Sequence, residues 1–144
     1  MRRGMLVGTI AAGVVVPLLL ASTAAAFHVP KSCPPVAEVN ATLHQKDKAP
    51  TTTKTPYGKV CTYRGTGILS TKITFQKDTT STFAAGEKAA AAAEPVVKVH
   101  HLGQSAWGTK VGGLLEVYDQ GETLKILAPL TPLARLEALA RKIV

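Results

Sequence analysis

Aromatic side chains are scarce in this 144-residue sequence, which holds one Trp, three Tyr and three Phe. Surfaces that bind nucleic acid interleave basic clusters with aromatics on which bases stack, and here there is little to interleave. The lysines do not cluster either: from Lys31 and Lys46 through Lys88 to Lys110 and Lys125 they are scattered and never form a run. The formal net charge of +8 is therefore read as a solvated basic surface, and no nucleic-acid partner is expected. Cysteine is scarcer still, with Cys33 and Cys61 alone. Two thiolates this far apart, with no His at metal-ligand spacing, build no zinc site. No metal and no cofactor is expected.

The glycine and histidine patterns of known chemistry are also incomplete. Gly103-Gln104-Ser105-Ala106-Trp107 begins like a nucleophile elbow, but that strained turn needs glycine on both sides of the serine, and the fifth position is Trp107. Ser105 reads more simply as a turn residue and Trp107 as a core or rim aromatic. Gly65-Thr66-Gly67 and Gly112-Gly113 lack the strand-loop-helix context of a phosphate cradle. His100 and His101 are adjacent, so on a strand they point to opposite faces and do not grip one metal easily, while His28 and His44 lie far off. The one general-base arrangement on offer pairs His101 with Glu116 across a sheet; an exposed His and a hydrogen-bonded one is the preferred reading. Asn40-Ala41-Thr42 spells a glycosylation acceptor, but inside an expected helix, and is taken as coincidence.

What is present starts with a leader. Met1-Arg2-Arg3 is a short cationic opening, residues 5–20 are apolar except for Thr9, and residues 21–26 are small. That is the order of a signal peptide over residues 1–26, with Ala24 and Ala26 at the small positions and cleavage between Ala26 and Phe27. The mature domain is then 27–144, and losing Arg2 and Arg3 leaves a charge of +6. Uncleaved, the apolar stretch would approach the span of a bilayer and anchor the domain. Pro17 and the small residues before Phe27 argue against that. Arg2-Arg3 also fits a twin-arginine leader. Cys33 follows Val29-Pro30-Lys31-Ser32, which is no lipidation box. An oxidising compartment favours pairing the two cysteines, and a Cys33–Cys61 bridge closing that loop would stabilise by roughly 3 to 4 kcal/mol.

The periodicities sketch one domain. A first helix is expected from Ser32 or Cys33 as cap to about His44, with Pro34 and Pro35 in its first turn and Val36, Val39 and Leu43 on one face. Residues 46–56 hold two prolines and four threonines without periodicity and read as a mobile loop. Residues 57–64 and 68–76 read as a hairpin. An alanine-rich helix over 83–94 is capped from Thr80-Ser81-Thr82 and stopped by Pro95. Residues 96–100 form a short strand, 102–108 a turn-rich connection, and 113–118 with 123–127 a second hairpin around a four-residue loop, Asp119-Gln120-Gly121-Glu122. Thr131 and Pro132 open an amphipathic last helix carrying Leu133, Leu136 and Ile143. The expected fold is α+β: a single antiparallel sheet of about five strands in the order α-β-β-α-β-β-β-α, with helices packed on one face and one disulfide.

Cys33 before a first helix, Cys61-Thr62-Tyr63 in a following strand, the Val99-His100-His101-Leu102 to Trp107 segment and a terminal helix ending Ala138-Leu139-Ala140 resemble small exported proteins and lipoproteins of actinobacteria that carry a domain without assigned function. The resemblance implies an envelope location and a small α+β fold, and brings no active site with it. The function expected is a non-catalytic, extracytoplasmic binding domain. Its partner would be an envelope protein, polymer or lipid, met through the uncovered sheet face or the 46–56 loop. Two other readings stand beside it: a small envelope hydrolase or metal-dependent enzyme using His100, His101 and Ser105, and a structural or inhibitory protein. Contact with a membrane would come through the leader or through weak, salt-dependent surface attraction.

Overall fold

The computed structural model describes Pro30 and residues 32–144. The expected leader, its Ala26–Phe27 junction and His28 lie outside the described residues. The chain runs α1 (Val36–Leu43), β1 (Thr51–Thr55), β2 (Gly58–Arg64), β3 (Ser70–Lys77), α2 (Thr80–Ala93), β4 (Val96–Val99), β5 (Ser105–Thr109), β6 (Leu114–Asp119), β7 (Glu122–Leu127) and α3 (Leu133–Ile143). All seven strands form one antiparallel sheet in the order β1-β2-β3-β7-β6-β5-β4. Two meanders are thus sewn together where β3 meets β7.

The α+β class, the single antiparallel sheet and the bridge match expectation, and the strand count does not. Seven strands replace about five, because β1 lies in the segment expected as a loop and β5 in the segment expected as a turn-rich connection. Every β1 side chain is exposed, so no alternation marks it, whereas Ala106 to Thr109 in β5 are all buried. The second hairpin turns on two residues rather than four. Gln120 and Gly121 both have positive φ, 46° and 86°, as a tight primed turn requires.

Helix boundaries follow local chemistry. Thr79, one residue before the expected caps, closes the start of α2 by accepting from the Thr82 N–H at 3.2 Å. His44 ends α1 in the left-handed conformation, and its neighbour Gln45 returns a backbone bond to Asn40.

The helices do not share one face. Along β5 the side chains alternate: Ala106 joins the main core with Val39, Leu43, Leu136 and Leu139 of α1 and α3, while Trp107 points to the other side and meets Phe83 of α2. The expectation of one covered face therefore fails at α2. A buried Trp on the second face needs a cover, and an alanine-rich helix with glycine at its contact can come close enough to supply it. A Cβ on Gly86 would stand 3.5 Å from Glu116 Oε2 and 3.9 Å from Trp107 Cζ2.

On the first face, strand β2 holds the chain entering α1 at three points. Its alternate residues Lys59, Cys61 and Tyr63 share that face. Lys59 Nζ donates to the Pro30 carbonyl, Cys61 is bonded to Cys33 with 5.7 Å between Cα atoms, and Tyr63 Oη donates to the Pro34 carbonyl at 2.6 Å. Lys59 also lies 5.5 Å from the centre of the Phe75 ring. Burial lowers the Lys59 ammonium from its ordinary pKa and raises the Tyr63 phenol, the latter with help from the Glu38 charge.

Candidate functional site

The residues considered for chemistry are dispersed. His100 and His101 lie just beyond β4, not on it, so strand alternation does not govern them; both are exposed and their ring centres are 6.5 Å apart. His101 has a φ of 59°, and its carbonyl accepts from Arg141 of α3 at 2.9 Å. Glu116, the carboxylate considered for His101, is instead paired with Lys125 at 2.6 Å beneath α2. Ser105 opens β5 opposite Tyr118, a strand residue and not a turn residue. Among the described residues, no group of three or more His, Cys, Asp or Glu is placed to hold a metal.

Trp107 belongs to the core, buried with Phe83 at 6.3 Å between ring centres, and its indole N–H finds no acceptor there. Among the clefts that indent the described surface, two stand near loops. One of about 370 Å³ lies under the β2–β3 loop against Asp47, Leu69 and Pro129, and one of about 440 Å³ lies between Tyr57 and the start of α2. Neither is lined by His100, His101 or Ser105.

What the sheet does assemble is a half-uncovered surface. Because α2 covers only the β4-β5-β6 side of the second face, the register lays out two rows that remain open toward β1. One runs Thr51, Thr62, Lys72, Leu127, and the other Thr53, Val60, Thr74, Lys125. All eight are exposed or partly exposed. Threonine fits such a position because its branched carbon suits extended backbone while its hydroxyl tolerates water. The second row continues into Glu116 and Trp107, so the Lys125–Glu116 pair marks the line where open sheet passes under α2. Lys125 is partly exposed there, and Glu116 is almost fully buried.

The face thus offers hydroxyls, the ammonium of Lys72 and a modest apolar patch at Val60 and Leu127. Its outer boundary is β1, the last strand of the sheet on that side. An edge of this kind carries unpaired backbone groups, and the lysine at Lys54 is a common guard against unwanted pairing.

Sequence reasoning named the uncovered face in general terms but missed the residues that make it, because β1 was unrecognised. A run of β-branched Thr51-Thr52-Thr53 was the available signal. Compared with known proteins, the chain matches no family model, no curated protein and no solved structure. Among the described residues no helix is long and apolar enough to cross a membrane.

Proposed function

We propose that this chain is a non-catalytic binding domain working outside the cytoplasm, and that it holds an anionic polymer of the cell envelope on the open part of its sheet. The observation that carries this reading is the pair of threonine-and-lysine rows left bare beside α2. A face of hydroxyls with Lys72, which makes no ion pair among the described residues, suits an extended, hydroxyl-bearing chain with negative charges. The disulfide and the leader expected from residues 1–26 support an oxidising destination.

The test is co-sedimentation of the folded protein with isolated anionic wall polymer at low ionic strength. Binding should weaken with added salt, and should fall by about tenfold or more when Lys72→Glu and Thr62→Glu place negative charge on the rows. No binding above background at low salt, or binding indifferent to both substitutions, overturns the reading.

A further inference from the structure

Exposed apolar side chains are not distributed evenly over this molecule. Among the described residues Tyr57, 71% exposed in the β1–β2 turn, and Val144, 40% exposed beyond α3, stand apart from four others: Ile68 is fully exposed, Leu130 80%, Val111 74% and Leu69 46%. They come from three connections far apart in sequence, β2–β3, β5–β6 and β7–α3. Strand register brings all three to one end of the sheet: Arg64 stands opposite Ser70, Lys72 opposite Leu127, and Leu127 opposite Leu114. The Ala128 N–H donates to the Gly113 carbonyl at 2.8 Å, tying two of the connections together. With strands about 4.8 Å apart, the apolar tips form a row roughly 15 Å long.

Leu130 is displayed at a conformational cost. The Thr131 N–H donates to the Ala128 carbonyl at 3.1 Å, which makes Ala128-Pro129-Leu130-Thr131 a turn whose third residue has a φ of 62°. Turns with Pro second and positive φ third normally place Gly or Asn there, because a branched side chain is strained in that region. This one holds a leucine whose side chain faces solvent. Strain retained at an exposed residue, without packing to repay it, points to a contact made outside the chain.

The surroundings of the row are cationic. Lys46, Lys48, Arg64 and Lys110 are exposed at the same end, and none is ion-paired among the described residues. The two carboxylates there are occupied or turned inward: Glu94 Oε2 accepts from the Gly112 N–H at 2.9 Å, and Asp47 Oδ2 is buried. Asp78, Asp119 and Glu122 sit at the opposite end, around the β6–β7 turn and the start of α2. The mount is firm. Gln45 accepts from Thr71 at 2.6 Å and donates to Thr131 at 3.1 Å, and Asn40 exchanges two bonds with the Asp47 backbone.

We infer that this end of the domain docks on an anionic lipid surface, with Ile68, Leu69, Val111 and Leu130 entering the headgroup layer and the lysines resting on lipid phosphates. A row of apolar tips within a ring of unpaired cations matches the two attractions that hold peripheral proteins on such membranes. The site is separate from the open sheet face and stands whether or not that face binds a polymer.

The full chain carrying Ile68→Trp tests it. Vesicles of phosphatidylcholine, with or without phosphatidylglycerol, are prepared with brominated acyl chains that quench an indole only when it enters the apolar layer. Trp107 is buried and serves as a constant background. Insertion of residues 5–26 requires neither anionic lipid nor these lysines, so the dependence of quenching on phosphatidylglycerol and on Lys46, Lys48 and Lys110 separates docking by the loop tips from tethering by that segment. Quenching is expected on phosphatidylglycerol-containing vesicles at low salt. It should need roughly 100-fold more lipid when Lys46, Lys48 and Lys110 are changed to Gln. Leu130→Gly in the same background should demand about tenfold more lipid while holding or raising thermal stability, since it removes both the apolar tip and the strain. An indole at position 68 that stays unquenched on anionic vesicles, or is quenched equally on neutral ones, overturns the proposal. So does an emission change seen only when envelope protein is added, which would make the occupant a protein.

Discussion

Removing the bridge should cost this domain a large share of its stability. Cys33 and Cys61 are 28 residues apart, and closing a loop of that length in the unfolded chain corresponds to about 3.6 kcal/mol in the chain-entropy account. Cys61 is fully buried under α1, so truncating its sulfur adds a small cavity worth up to about 1 kcal/mol. The perturbation is therefore the double variant Cys33→Ala, Cys61→Ala, compared with intact protein held under strong reductant, which loses the bond but keeps the sulfur volume. At roughly 4 °C per kcal/mol for a domain of this size, the melting temperature should fall by about 15 °C in both cases, followed by circular dichroism. A fall below about 4 °C in both would refute the reasoning. It would mean that the reduced chain already keeps this loop restricted when unfolded, so that the covalent bond removes little further entropy.

The same strand offers a milder test: Tyr63→Phe strands the buried Pro34 carbonyl and should cost about 1 to 2 kcal/mol by denaturant titration. Two glycines should respond in opposite senses. Gly86→Ala meets only ordinary contacts under α2 and removes a poor helix former, so it should gain about 0.5 to 1 kcal/mol. Gly108→Ala would set a methyl 2.3 Å from Leu133 Cδ1 and 2.9 Å from the Leu114 carbonyl, and should lose about 1 to 3 kcal/mol by lifting α3. Burial raises the Asp47 carboxyl above its ordinary pKa of 3.8, against a smaller pull from the Thr71 hydroxyl. Its ionised form therefore opposes folding once the pH exceeds that ordinary value. Asp47→Asn should be more stable than the parent at neutral pH, with the difference vanishing below about pH 4; an advantage that persists at pH 3 would assign the gain to something other than charge.

The three helices, the β6–β7 hairpin and the bridge were legible because each rests on local chemistry. Pro35 and Pro132 open helices, Pro95 follows the end of one, and Val39 with Leu43 repeats at helical spacing. The two missed strands show where locality ends. Strand β1 is exposed on both faces and paired on one edge only, so burial writes no alternation into Thr51 to Thr55. Strand β5 has the reverse difficulty: Ala106 packs under α3's side of the sheet and Trp107 under α2, both faces are covered, and Ser105-Ala106-Trp107-Gly108-Thr109 carries no period.

The placement of α2 was hidden for a related reason, since an alanine-rich helix has so small an apolar stripe that either face of the sheet could accept it. What decides the matter is Trp107, which points away from the α1–α3 core and would lie bare without Phe83 above it. That decision then determines the surface. With α2 drawn to the β4-β5-β6 side by one aromatic cluster, the threonine rows beside β1 are left open, and no feature of Thr51, Thr62 or Lys72 themselves foretells it. The loop tips follow the same logic. Ile68, Val111 and Leu130 are unremarkable as isolated apolar residues in turns, and acquire meaning only because seven antiparallel strands deliver their three connections to one end. Chemistry that sits in a motif can be read from neighbours in sequence. A surface assembled by register can be read only after the register is known, which is why the open sheet face and the row of loop tips emerge from the topology of this domain while its bridge and helices emerge from its residues.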